Sequence, residues 1–287
     1  MLRFTTFTVG DDPAYHARTW MLLLTTMAHA PADSEYVVVT DRPARYAWFG
    51  PRVRCLEPGA DWGGAQGFFW RKKIKAVCAA VALGPADVVY ADSDMVARRG
   101  FDDLAAALAA GDTFMHEFEH LLSRSSRKGD RAMWRMVAGR SAGGMVMADP
   151  APMWNAGLVA VGAAKLRLFD DILAVCDDLT AAGVKHNLTE QFAWSVRLAA
   201  DGRLRDGKRW FHHYWGNKPG WDAAINDLLA RILVEGRDLT AAVELVRANP
   251  IRRPLLVRRR WWNRWFVPIS GLQGHLDLPA TPGTDHG

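Results

Sequence analysis

Short apolar runs alternate with longer amphipathic segments along most of this chain, and that alternation restricts the fold more than any other feature. Phe4–Val9, Glu35–Thr40, Val53–Leu56, Val88–Ala91, Thr113–Phe118, Gly144–Ala148, Gly157–Val161 and Trp210–Tyr214 have strand character. Pro13–Ala30, Gly67–Leu83, Phe101–Ala110, Lys165–Ala181, Thr189–Ala200, Trp221–Glu235 and Leu239–Ala248 read as helices. Asp11 or Asp12 caps the first of these with Pro13 at its first position, Gly84-Pro85 ends the second, and Thr189 caps the fifth. Strands separated by helices predict an α/β fold with a mostly parallel sheet. Ser123–Arg140 is the least patterned stretch, read either as a solvated loop or as a mobile segment over a site.

At 287 residues the chain suffices for one large α/β domain or two small ones. No window approaches about 18 uncharged apolar residues, and Met1-Leu2-Arg3 passes into a strand-like run without a secretory pattern. Three separated cysteines, Cys55, Cys78 and Cys176, offer neither a disulfide framework nor a zinc pattern, so a reducing, cytoplasmic setting is expected. The formal net charge is +5, and residues 247–287, with seven arginines and two aspartates, carry all of it. The expected organisation is a domain over residues 1–248 and a basic, Trp-rich extension over 249–287 with a frayed end.

The run Val88-Val89-Tyr90-Ala91 stops at Asp92-Ser93-Asp94. If strand geometry persists, the two carboxylates share a face; if the strand ends at Asp92, both hang off its C-terminal end, where open α/β sheets place ligands. Two hard oxygen donors there suit Mg²⁺ or Mn²⁺ shared with substrate phosphates.

Four further places carry chemistry. In Phe7–Tyr15, Thr8, Asp11 or Asp12 can hold a base or ribose with Tyr15 stacking. In Trp70-Arg71-Lys72-Lys73-Ile74-Lys75 the cations cannot share one helical face, so some are merely solvated while one or two can reach a diphosphate. In Met153–Leu158, Asn155 can bond a sugar hydroxyl and Gly157 permits close backbone approach. In His212–Pro219 an imidazole can complete an oxygen-rich Mn²⁺ shell, and Gly216 with Lys218 can hold phosphates.

Together these motifs make residues 4–221 resemble the GT-A fold glycosyltransferases, most closely the glycogenin/galactosyltransferase-like family 8 and its bacterial relatives. Asp92 and Asp94 match the family's metal-binding Asp-x-Asp. His213-Tyr-Trp-Gly216-Asn-Lys218-Pro219-Gly-Trp221 matches its His-x-x-Gly-x-x-Lys-Pro-Trp element, with one residue fewer before the lysine and one more before the tryptophan. Trp154-Asn155-Ala156-Gly157 matches its Phe-Asn-Ser/Ala-Gly, and Glu190-Gln191 stands where the family has Asp-Gln.

The resemblance implies a Rossmann-like GT-A fold: a mixed, mostly parallel sheet flanked by helices, with a helical C-terminal extension. It makes His213 the third metal ligand beside Asp92 and Asp94, with Mn²⁺ or Mg²⁺ as cofactor. It makes Lys218 and Lys73 diphosphate contacts, beside which Ser93, Gly216, Thr8, Asp11 and Tyr15 are the further candidate donor contacts. Gln191, Glu190 and Asn155 are its candidates beside the reacting carbon. The activity implied is transfer of a sugar, with retention, from a nucleotide-sugar such as a UDP-sugar to a glycan, lipid or protein acceptor.

Asp92-Ser93-Asp94-Met95-Val96 also fits the Asp-x-Asp-x-Val/Thr pattern of haloacid-dehalogenase-type phosphatases, with Asp92 as nucleophile and Asp170-Asp171 or Asp177-Asp178 as distal acids. A non-catalytic nucleotide-sugar-binding module is the other alternative. In the extension, arginines interleave with Trp261, Trp262, Trp265 and Phe266, which suits an anionic membrane surface for Arg252–Phe266, peripheral on the inner face, or docking of those tryptophans on the protein's own body. Nucleic acid is not an expected partner, because the rest of the chain offers no basic face in sequence.

Overall fold

The structure, a computed structural model, describes residues 1–184, 186–252 and 254. β1 (Leu2–Phe7) leads through α1 (Pro13–His29) to β2 (Glu35–Val39) and β3 (Val53–Leu56). α2 (Arg71–Val81) feeds β4 (Asp87–Ala91), followed by β5 (Met95–Ala97), α3 (Asp102–Ala109) and β6 (Thr113–Met115). An excursion of β7 (Phe118–Leu121), α4 (Lys128–Val137), β8 (Ser141–Ala142), β9 (Met145–Val146) and β10 (Pro152–Trp154) precedes β11 (Leu158–Val161). Among the described residues α5 (Leu168–Ala181), α6 (Thr189–Ala200), β12 (Leu204–Asp206), β13 (Phe211–His213), α7 (Lys218–Val234) and α8 (Leu239–Ala248) follow.

Seven strands form one sheet in the order β12-β6-β11-β4-β1-β2-β3. β11 runs antiparallel to β4 and β6, and the other pairings are parallel. The sheet is therefore mixed and mostly parallel, with helices on both faces. Side chains alternate as strand geometry requires. Val89, Ala91, Leu158, Ala160 and Phe114 join a core with Leu24 of α1, Leu104 of α3 and Ile225 of α7. Val88, Tyr90, Val159, Val161 and Met115 join the opposite core with Ile74 of α2, Ile172 of α5 and Phe192 of α6. Burial on both faces explains why the central strands read as unbroken apolar runs.

Several elements differ from expectation. The helix expected over Gly67–Leu83 begins only at Arg71, since Gly67 sits at φ 61°, in the left-handed region that helices exclude. Thr113–Phe118 is not one strand: β6 ends at Met115, and Phe118 opens β7, which pairs antiparallel with β10 off the main sheet. Gly144–Ala148 shrinks to β9, whose hairpin with β8 turns on Gly143 and Gly144, both at positive φ. Thr189 is the first helical residue rather than the cap, and its hydroxyl donates to the His186 carbonyl at 2.7 Å. Ser123–Arg140 is not a loop, because α4 forms there with Asp130, Met133 and Val137 buried on one face. β13 belongs to a separate two-stranded ladder with β5 rather than to the main sheet.

Among the described residues no helix is long and apolar enough to cross a membrane. Except for Asn249–Arg252 and Pro254, the expected extension and its membrane or self-docking contacts lie outside the described residues.

Candidate metal and diphosphate site

β4 ends at Ala91, so the alternation Val88, Tyr90, Asp92 carries the first aspartate onto the α2 side of the sheet. There the Tyr90 hydroxyl donates to Asp92 Oδ1 at 2.7 Å. Burial pushes the Tyr90 phenol well above its ordinary pKa, which keeps it a proton donor. Lys73, on α2, approaches Asp92 Oδ1 at 3.0 Å and donates to the Ala156 carbonyl at 2.8 Å. Strand geometry does not persist to Asp94, because Ser93 and Asp94 form a turn into β5. Both carboxylates thus stand at the C-terminal end of β4.

β13 explains how a histidine 119 residues away reaches them. Its antiparallel pairing sets His213 opposite Met95, the residue after Asp94. His213 Nε2 lies 3.2 Å from Asp94 Oδ1, and one ligand atom each from Asp92, Asp94 and His213 falls within 4.8 Å of the others. Lys218 Nζ lies 2.7 Å from Asp94 Oδ2. Burial by itself would raise the Asp94 pKa, but the hydrogen bond and charge of His213, with Lys218, outweigh it and hold the carboxyl well below its usual range.

Asn155 orients the imidazole. Its Oδ1 lies 3.0 Å from His213 Nδ1 and accepts the Gly157 N–H at 3.0 Å, while its Nδ2 donates to Glu119 at 3.0 Å. Asn155 Oδ1 can only accept, so His213 donates Nδ1–H to it, and a cation seated between the ring and the acidic pair would take the Nε2 lone pair in place of the proton shared with Asp94. His116 packs edge-on against the His213 ring at 5.4 Å. Gly157 gives room to this ring, since a Cβ there would stand 2.7 Å from His213 Nδ1. Gly157→Ala is expected to displace His213 and, where this cluster holds a cation, to weaken its binding about tenfold, the effect typical of lost support behind a ligand, measured by Mn²⁺ titration with electron paramagnetic resonance.

These residues open on a cleft of about 290 Å³. Asp92, Ser93, Asp94, His213 and Lys218 form its polar end, and Thr8, Tyr15, Phe69 and Trp70 line the rest. Tyr15, Phe69 and Trp70 are all exposed, at 44%, 45% and 44%, with Arg18 over the Tyr15 ring at 5.2 Å and Lys72 over the Phe69 ring at 5.4 Å. Phe69 and Trp70 were not anticipated as site residues, although the aromatic run Phe68-Phe69-Trp70 before a basic helix is a legible signal.

Other expected residues fall elsewhere. Lys73 is 6% exposed and does not line the cleft; it braces Asp92 from behind instead of reaching for a diphosphate. Burial by itself would lower its pKa, but Asp92 and Glu190 together raise it, so the ammonium stays charged. Glu190 is buried, bonded by the Trp194 indole N–H at 2.5 Å and 3.5 Å from Lys73. Burial pushes its carboxyl up to about 7. Gln191 donates to Glu119 Oε2 at 3.0 Å, so Glu119 joins Gln191 to Asn155. Thr8 does line the cleft, but it is buried and its hydroxyl lies 2.6 Å from that of Thr19. Asp11 is not in the cleft lining and is held by Arg42 at 2.6 Å. Gly216 lies on an exposed turn with open space around it. No signal in the sequence marks Glu119, which reaches the site only through the β7–β10 pairing.

No protein-family model matches this chain, and no curated protein matches it either.

Proposed function

We propose that the chain is a metal-dependent GT-A-type glycosyltransferase that draws a sugar from a nucleotide-sugar, a UDP-sugar being the first donor to test. The observation that supports this most is the convergence of Asp92, Asp94 and His213 at one end of an aromatic-walled cleft. The donor set fits Mn²⁺ or Mg²⁺: two carboxylates and one imidazole, hard to borderline ligands with room for phosphate oxygens. Two lysines already sit against the acidic pair, so the site is built to hold positive charge. When bound, the cation would neutralise charge developing on the leaving diphosphate.

The protein's own groups divide the remaining work. Tyr90 and Lys73 fix the Asp92 carboxylate, and Asn155 fixes the His213 tautomer. Lys218, whose side chain is 38% exposed, is placed to exchange Asp94 for a phosphate oxygen. Tyr15, Phe69 and Trp70 offer surfaces for a base or sugar ring. Retention at the anomeric carbon follows from the family resemblance, as does the choice of a glycan, lipid or protein acceptor.

Three of the four distal acids named for the phosphatase alternative are engaged elsewhere, and all four lie on α5. Asp171 is paired with Arg197 at 2.6 Å, Asp177 with Arg71 at 2.5 Å, and Asp178 accepts the Gly143 N–H at 2.7 Å.

Thermal unfolding with UDP and Mn²⁺ tests the proposal. UDP with Mn²⁺ is expected to stabilise the protein by about 3 kcal/mol at roughly 100 times Kd, with the shift removed by EDTA. Equal stabilisation with and without metal would count against the assignment, and so would stabilisation by no nucleoside diphosphate.

A further inference from the structure

α4 opens on cations, with the buried Asp130 as the acid of its first turn and Arg135 in its last. Arg127 occupies its N-cap position and Lys128 its first turn, where the helix dipole disfavours cations, and no side chain caps the end. Arg131 and Arg135 follow at four-residue steps from Arg127, a like-charge spacing that destabilises an isolated helix. Asp130, Met133 and Val137 are buried on the opposite side, while Arg127, Lys128, Arg131 and Arg135 are exposed.

The neighbourhood does not neutralise this stripe. Residues 123–150 hold six cations and two carboxylates. Asp130 is buried and accepts from the Ser125 hydroxyl, and Asp149 is taken by Arg124 at 3.0 Å. Among the described residues Arg127, Lys128, Arg131, Arg135 and Arg140 form no ion pair with a carboxylate. Yet residues 1–246 as a whole carry equal numbers of basic and acidic side chains. Beside the stripe lie two exposed apolar residues, Met136 at 38% and Val146 at 62%. Val146 belongs to the β8–β9 hairpin, tied to the end of α4 by the Gly139–Met147 and Met147–Arg140 backbone bonds of 2.8 Å.

We infer that the exposed face of α4, with the β8–β9 hairpin, is a docking surface for an anionic lipid bilayer. Clustered arginines complement a negatively charged headgroup layer, and an anionic partner removes the like-charge strain that the free helix bears. Met136 and Val146 add the shallow apolar contact that distinguishes a bilayer from a purely phosphate-bearing polymer. This surface is separate from the arginines of the C-terminal extension, and it holds whatever reaction the cleft performs.

Co-sedimentation of the full chain with vesicles of phosphatidylcholine containing about a third phosphatidylglycerol tests it. The wild type is expected to bind these vesicles, to bind pure phosphatidylcholine far less, and to be released by salt. A variant carrying Arg127→Gln, Lys128→Gln, Arg131→Gln and Arg135→Gln is expected to lose on the order of 10³-fold in affinity, at a contribution of the usual size per basic residue at an anionic surface. Its circular dichroism and its Mn²⁺ binding should match the wild type, which shows that the fold persists. A parallel variant with Arg258, Arg259, Arg260 and Arg264 changed to Gln separates the extension from α4. If the α4 variant binds as well as the wild type, the inference is wrong and any binding belongs to the extension. Absence of wild-type vesicle binding, or tighter binding to a 30-mer RNA than to the vesicles, also overturns it.

Discussion

Asp94→Asn is expected to lower the proposed sugar transfer by about 10²–10³-fold, the scale of losing one charged contact to a developing oxyanion. It should also abolish the dependence of UDP binding on Mn²⁺. Asp94 is 8% exposed, and His213 and Lys218 hold its carboxyl well below the usual range, so at neutral pH its charge is available to a cation. The amide keeps the shape but not the charge, and it leaves Lys218 and His213 facing each other with no anion between them. Calorimetric titration of UDP with and without Mn²⁺, beside initial rates of donor turnover, measures both effects. An Asp94→Asn protein with wild-type metal dependence would remove the metal from this site and the mechanism with it. Asp94→Ala with the same loss, but an unchanged unfolding midpoint, would separate chemistry from folding.

Lys73→Met is expected to destabilise the protein by about 3–5 kcal/mol, the usual penalty for removing one member of a buried charge cluster. The ammonium serves Asp92 at 3.0 Å, Glu190 at 3.5 Å and the Ala156 carbonyl at 2.8 Å. Without it, Glu190 has only the Trp194 indole to offset its burial. The companion variant Lys73→Met/Glu190→Gln should recover part of the loss, because the second change removes the carboxylate that needed the cation. The loss from Lys73→Met alone should shrink at acidic pH. Glu190, with its carboxyl near 7 in the fold, is then protonated and has no charge to compensate. Urea unfolding at neutral and mildly acidic pH checks all three. A loss below about 1 kcal/mol without ligand would return Lys73 to the role of a phosphate contact, for which stability would be indifferent.

Much of the fold was legible in the sequence because burial on both sheet faces leaves a strong local signature. β2, β3 and β4, α1, α6 and α8 all lie within two residues of where periodicity and capping put them. The failures share a cause. α4 has Met133 and Val137 as its fully buried apolar anchors, with Trp134 half-buried beside them and Asp130 buried among them, too few for a pattern to stand out. β5, β12 and β13 are three residues long, and such strands exist only because a distant partner supplies their hydrogen bonds.

The same division runs through the site. Asp92 and Asp94 were marked by an apolar strand ending in acid, and His213 by its place in a motif. What the sequence determined was the alternation of strand and helix, the location of the acidic pair at a strand end, and the charge asymmetry of the chain. Only the tertiary structure decided that Lys73 braces Asp92 from below, that Glu190 is a buried counter-charge, and that Glu119 links Asn155 to Gln191. The reason is physical. Backbone periodicity is a local property that a few residues can encode, whereas the burial and partners of a charged side chain depend on elements tens of residues away in the chain.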